Sequence, residues 1–173
     1  MIPITGNTIN SIDVLNGVAS GFMIIASFSL SIALFILQNY EMAIVSLPLG
    51  FVSLAFYKYH KIPSKIFPGD SGALTLGAMY GAIAIVGHVE IIAAVALLPA
   101  IINSFLFLSS MKRIVEHRQI KGKPVEHTED FRLQATSDKT APITLVRLIL
   151  AAGPLSERQV GFAIFKLAIF SGI

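Results

Sequence analysis

Residues 14–40 read Val14-Leu-Asn-Gly-Val-Ala-Ser-Gly-Phe-Met-Ile-Ile-Ala-Ser-Phe-Ser-Leu-Ser-Ile-Ala-Leu-Phe-Ile-Leu-Gln-Asn-Tyr40, without one Asp, Glu, Lys or Arg. A helix needs roughly 20 mostly apolar residues to cross a hydrocarbon core of about 30 Å, so this run is long enough to span a membrane. Three more charge-free runs follow, at 42–57, 71–89 and 91–111. Only Glu90 separates the last two. One helix over 71–111 would be about 60 Å long at 1.5 Å per residue, so the chain is expected to reverse near Gly87-His88-Val89-Glu90. The run at 42–57 is short and holds Pro48 and Gly50, yet the charge distribution requires the chain to return there. A fifth apolar stretch, 158–173, contains Lys166 and looks cut short. These readings predict an all-α, polytopic transmembrane bundle with spans at about 14–37, 42–57, 71–87, 91–110 and 158–173. Residues 1–173 form one membrane domain, with a loop at 112–157 between spans four and five.

Composition agrees. Hydrophobic residues make up 54% of the chain and charged ones 13%, against about 25% charged in soluble domains, and the mean hydropathy is +0.75. Cysteine is absent, which excludes a disulfide framework and thiolate metal sites. Lys58, Lys61 and Lys65 follow the second span, and Lys112, Arg113, Arg118, Lys121, Lys123, Arg132, Lys139 and Arg147 follow the fourth, while 38–41 and 87–90 carry no Lys or Arg. By the positive-inside rule, 58–70 and 112–157 face the cytoplasm. The basic loop is interrupted by Glu116, Glu126, Glu129 and Asp130 and lacks an aromatic stacking series, which argues against nucleic acid as a partner.

Two polar clusters then fall on the cytoplasmic face. Asn7, Asn10, Asp13 and Asn16 recur every three residues, so on one helix they would form a slowly drifting stripe. Capping explains one or two such residues, not four in register. The second cluster is Phe67-Pro-Gly-Asp70-Ser-Gly72, in which Asp70 offers the hard oxygen Mg²⁺ prefers and Ser71-Gly72 opens a helix. The same segment also reads as a turn with an Asp or Ser cap. In the loop, Glu116 to Pro124 and His127 offer donors for diphosphate or sugar hydroxyls. His60 is expected at the headgroup level and His88 and Glu90 at the opposite interface. Lys166 is either snorkelling or facing a cavity.

With these residues in hand, the chain resembles the polyprenyl-phosphate N-acetylhexosamine-1-phosphate transferases, with wording nearest the archaeal and eukaryotic dolichyl-phosphate N-acetylglucosamine-phosphotransferases. The resemblance rests on Asn7-x-x-Asn10-x-x-Asp13-x-x-Asn16-Gly17 and Phe67-Pro-Gly-Asp70-Ser-Gly-x-Leu74-x-x-Gly77. Leu97-Leu-Pro-Ala-Ile-Ile-Asn103 and the His117-Arg118 loop support it. It implies transfer of N-acetylglucosamine-1-phosphate from UDP-N-acetylglucosamine to a polyprenyl (dolichyl or undecaprenyl) phosphate, releasing UMP. It further implies Mg²⁺, with Mn²⁺ as a substitute, held by Asn10 and Asp70. Asn16 and Phe67 would contact uracil, Asp13 would assist catalysis, and His117 and Arg118 would hold diphosphate or sugar, with Asn7 beside them. The loop departs from the triple-histidine pattern of the wall enzyme, which turns the expectation away from a muramoyl-pentapeptide substrate. The setting implied is the cytoplasmic membrane, or the endoplasmic reticulum membrane in a eukaryote, with the site on the cytoplasmic face.

The family also carries an Asp-Asp-x-x-Lys motif in its N-terminal half, and no Asp-Asp pair occurs in these 173 residues. With five spans rather than about ten, the expectation is a C-terminal half, completed by a separate N-terminal half or acting as a homodimer. A non-catalytic membrane subunit that binds nucleotide sugar or lipid phosphate is the alternative. An ion transporter using Asp13, Asp70 and Lys166 fits less well, because these carboxylates lie at span entrances rather than at the midplane.

Overall fold

The computed structural model describes residues 1–111 and 122–173. Helix α1 (Ile2–Ile12) precedes α2 (Val18–Ile36), α3 (Tyr40–His60) and α4 (Gly69–Val86), and each of the last three is long and apolar enough to cross a membrane. The fourth expected span is broken. Its two pieces, α5 (Glu90–Ala96) and α6 (Leu98–Met111), meet at 73°. Pro99 sits in the first turn of α6, where a missing N–H is tolerated but a continuous helix would be interrupted. The chain reverses where expected, with Gly87 closing α4 and His88 at φ 55. The C-terminal α8 (Glu157–Gly172) has 16 residues, about 24 Å at 1.5 Å per residue, and is the shortest of the expected crossings.

The Asn/Asp stripe does not lie on one helix. Helix α1 stops at Ile12, and Gly17 takes a left-handed φ of 79° before α2 begins. A Cβ there would also lie 3.0 Å from the Tyr57 ring and 3.1 Å from Lys61 Cα. Both the turn and the close approach therefore require glycine. Asn7 and Asn10 remain on α1, while Asp13 and Asn16 lie in the connection to α2.

Helix α2 is the centre of the bundle, with Val18, Ala19, Phe22, Met23, Ala26, Leu30 and Leu34 all buried. Its Ser31 hydroxyl meets that of Ser46 on α3 at 2.6 Å. Helices α1 and α4 pack through small residues: the space a side chain would need at Gly77 and Gly81 is filled by Thr5. This is how membrane helices gain contact when lipid is as apolar as leucine. Asn103 on α6 is buried and joins three elements, donating to Ser11 O (2.9 Å) at the end of α1 and accepting from Leu145 N (2.9 Å).

Part of the long loop is folded against the bundle. Strands β1 (Val125–His127) and β2 (Leu133–Ala135) pair antiparallel, with Val125 opposite Ala135. A short helix α7 (Leu145–Ile149) and a 3-10 turn (Leu150–Ala152) lead to α8. Leu133, Leu145, Val146 and Leu150 are buried. Arg147 holds the loop together, its guanidinium donating to the carbonyls of Ala141 (2.6 Å), Asp138 (2.8 Å) and Thr136 (3.1 Å). This basic residue is thereby structural.

Candidate functional site

The ends of α1 and α3 and the start of α4 converge at one end of the bundle. Along the α1/α4 contact, Ile2 lies against Gly81, Thr5 against Gly77 and Gly6 against Leu74. Continuing that antiparallel register by one turn sets Asn10 level with Asp70. The Asn10 carboxamide makes no hydrogen bond among the described residues. Three residues on, Asp13 follows the helix, its backbone N–H donating to Asn10 O (3.2 Å).

Asp13 is the most constrained of the group. Its side chain is only 6% exposed, and Oδ1 is buried without a hydrogen-bond partner. Burial, and secondarily the Asp70 carboxylate, push its carboxyl up from 3.8 to about 6. Asp70 itself is exposed in the first turn of α4, after Gly69 at φ 60. The capping reading of this segment does not hold: Pro68 occupies the cap position and no side chain caps the helix. Among the described residues the Asp70 carboxylate makes no hydrogen bond or salt bridge.

His60, at the end of α3, is fully buried among protein side chains, with Nδ1 2.8 Å from Ser20 Oγ and Nε2 3.6 Å from Asp13 Oδ1. Its ring packs edge-on to Phe67 at 5.1 Å between centroids. Phe67 is 52% exposed, so one part of its ring rests on His60 while the rest faces outward. Buried His60 thus joins Asp13 to Phe67, a link invisible in the sequence because Ser20, His60 and Phe67 come from three different segments.

Asn16 lies on another side of the turn, where its backbone N–H and its Nδ2 both donate to Glu157 Oε1 at 2.7 Å. They line a small cleft of about 80 Å³ with Tyr57, Lys61 and Arg158. Asn7 is exposed and donates to Pro3 O (2.8 Å) within its own helix, so no described contact links it to the cluster. His117 and Arg118 lie outside the described residues. Lys166 is exposed on α8, and His88 and Glu90 are exposed at the opposite end. Glu157 and Ser20 were not singled out from the sequence. The only signal for Glu157 was its place just before an apolar helix.

Among the described residues no three His, Asp or Glu side chains gather as a metal cage. Two carboxylates and a carboxamide near one another, with Asp13 Oδ1 unpaired, form an all-oxygen set. That suits Mg²⁺, which is commonly held by one or two carboxylates together with substrate phosphates.

Two cavities flank the cluster. One, about 560 Å³, is an apolar groove between α3 and α4 that includes Leu49, Val52, Phe56 and Leu76 and reaches Phe67, Pro68 and Ser71 on either side of Asp70. The other, about 440 Å³, lies among the α1–α2 connection, α6 and the hairpin, with Lys123 and His127 in its wall.

The model of the family described as glycosyl transferase family 4 matches residues 1–88, which contain every member of the cluster. The chain belongs to glycosyl transferase family 4. This family 4 chain is 34% identical over 176 residues to a Methanocaldococcus jannaschii protein named as a glycosyltransferase, an alignment covering 99% of the chain and 55% of that relative. It is 27% identical over 175 residues to a Saccharolobus solfataricus protein named as a UDP-N-acetylglucosamine–dolichyl-phosphate N-acetylglucosaminephosphotransferase, covering 99% of the chain and 51% of the relative. A phospho-N-acetylmuramoyl-pentapeptide-transferase of Prochlorococcus marinus is 39% identical over 82 residues, 46% of the chain and 23% of the relative. The family 4 chain therefore spans about half the length of the relatives that it matches from end to end. Its apolar helices and its family agree on an integral membrane protein.

Proposed function

We propose that this chain forms the cation- and nucleotide-binding side of an enzyme that transfers N-acetylglucosamine-1-phosphate from UDP-N-acetylglucosamine to a polyprenyl phosphate, with release of UMP. The observation that carries this reading is the juxtaposition of Asn10, Asp13 and Asp70 at one end of a membrane bundle, beside an exposed aromatic ring. The positive-inside reading puts that end at the cytoplasm, where nucleotide sugars are found.

Phosphoryl transfer asks little covalent chemistry of the protein, so positioning and charge neutralisation dominate. Asn10 and Asp70 would hold Mg²⁺, with Mn²⁺ as a substitute. When bound, the ion supplies neutralisation of the diphosphate charge. Asp13 contributes negative charge at the same place while remaining shielded from solvent. Phe67 offers a ring face for uracil, and Asn16 a hydrogen-bonding edge. The groove between α3 and α4 gives a prenyl chain an apolar path ending beside Asp70, which would bring the acceptor phosphate to the site. His117 and Arg118 remain the candidates for the diphosphate or sugar.

The test is exchange of labelled UMP into UDP-N-acetylglucosamine in membranes that contain this chain together with a segment carrying the family's Asp-Asp-x-x-Lys motif. Mg²⁺-dependent exchange that Asp70→Asn abolishes supports the transferase, and exchange indifferent to Asp70→Asn refutes it. The alternative reading is a non-catalytic membrane subunit that binds nucleotide sugar or lipid phosphate. UDP binding with no exchange in the same membranes would select that reading.

A further inference from the structure

We propose that Glu157 is a positioning residue that fixes which end of the Asn16 carboxamide is offered to a ligand, and that it thereby selects uracil over cytosine nucleotides. This rests on the proposal that Asn16 meets the base. The geometry comes from one oxygen: Glu157 Oε1 receives both the backbone N–H and Nδ2 of Asn16, each at 2.7 Å. An ionised carboxylate only accepts hydrogen bonds. The amide nitrogen must therefore face Glu157, because the flipped carboxamide would set two acceptor oxygens against each other at that distance. Asn16 Oδ1 is the end left over, and it accepts no hydrogen bond among the described residues.

Both partners are held in place from behind. The Asn16 turn is pinned by Gly17, whose backbone lies against Tyr57 and Lys61. Glu157 opens α8, where Ser156 and Gln159 form a reciprocal capping box, Ser156 N donating to Gln159 Oε1 (2.8 Å) and Gln159 N to Ser156 Oγ (3.3 Å). Lys61 and Arg158 line the same cleft. A side chain locked by packing and hydrogen bonds on both sides presents one chemistry to the ligand rather than two.

That chemistry is a lone pair. Uracil carries a proton on N3 and donates to such an acceptor, whereas cytosine presents its own lone pair at N3. Where Asn16 Oδ1 meets N3, the uridine nucleotide gains a hydrogen bond and the cytidine nucleotide meets repulsion between unpaired acceptors. Leaving polar groups unpaired in this way discriminates strongly. Glutamine at 157 would keep its carbonyl on the Asn16 backbone N–H and so preserve the orientation, whereas alanine offers no acceptor, so the carboxamide would be free to turn over and the selection would fade.

The experiment measures UDP and CDP binding to the full chain in Mg²⁺ by titration calorimetry, for the wild type, Glu157→Ala and Asn16→Ala. The wild type is expected to favour UDP by about tenfold or more, and Glu157→Ala to bring the two nucleotides within about threefold while keeping measurable UDP affinity. Retention of the wild-type ratio by a folded Glu157→Ala chain overturns the role of Glu157 and leaves the base contact standing. A wild type that binds neither nucleotide, or an Asn16→Ala chain that binds UDP unchanged, overturns the base contact and this inference with it. Should Glu157→Ala not fold, N3-methylated UDP on the wild type reads the same contact. Weakening by about tenfold or more supports an acceptor at N3, and equal binding overturns it.

Discussion

Replacing Asp13 by Asn should stabilise the cation-free protein at neutral pH. The carboxyl is pushed up from 3.8 to about 6 by burial and then by Asp70, so the folded protein holds this proton more tightly than the unfolded chain does. The stability it contributes is complete below pH 3.8 and is lost as the pH rises through about 6. At about 1.4 kcal/mol for each tenfold change in acidity, keeping Asp13 ionised in the fold at pH 7.5 costs up to about 3 kcal/mol. Asn has nearly the same shape and no charge. At about 2 to 4 °C per kcal/mol for a chain of this size, the gain is at most about 12 °C in Tm. Thermal unfolding followed by circular dichroism, in detergent with chelator, should show Asp13→Asn above the wild type at pH 7.5, the gap narrowing to about half by pH 5 and closing only below pH 3.8. Added Mg²⁺ should raise the wild type more than the variant. A variant less stable than the wild type at pH 7.5 in chelator would refute the reasoning, because it would mean that the ionised carboxylate is a net stabiliser in this setting, for instance through His60.

Three other substitutions probe separate parts of the account. Gly77→Val places a branched side chain where the backbone of Thr5 and Gly6 already lies, and overpacking of this kind costs about 1 to 3 kcal/mol, to be read as a fall in Tm. Ser31→Ala removes the 2.6 Å hydroxyl contact with Ser46, and a double-mutant cycle with Ser46→Ala should return a coupling of about 0.6 to 1.7 kcal/mol, the range for hydrogen bonds between membrane helices. Phe67→Ala should weaken UDP binding by about tenfold, given about 1 to 3 kcal/mol for a base stacked on an aromatic ring. Its Tm should change little, because half of that ring is already exposed.

The spans were legible because bilayer thickness imposes a length and a composition that irregular structure cannot satisfy. Runs without charge located α2, α3 and α4, and the excess length of 71–111 revealed the reversal at Gly87. What escaped depended on tertiary contacts. The polar residues at 7, 10, 13 and 16 have helical spacing, yet the left-handed Gly17 and its seat against Tyr57 and Lys61 separate Asn16 from α1. The bend between α5 and α6 was marked by Pro99, but proline alone does not set 73°. Asn103 holds α6 to α1 and to the start of α7, an arrangement that its residue type could not announce. The burial of His60 escaped for the same reason: its place at the end of a span is legible, but only the fold brings Ser20 and Asp13 around it. In the loop, Arg147 counted only as one more positive-inside charge, whereas the structure commits it to backbone carbonyls.

The central claim is that Asn10, Asp13 and Asp70 together make a cation-dependent nucleotide diphosphate site. Calorimetric titration of the full chain with UDP, in Mg²⁺ and in chelator, for the wild type and Asp70→Asn, tests it most directly. The account predicts UDP binding that requires the cation and that weakens by about tenfold or more in Asp70→Asn, as expected when a charged, hydrogen-bonding partner is lost. UDP binding that is equally strong without the cation, or unchanged by Asp70→Asn, would contradict it.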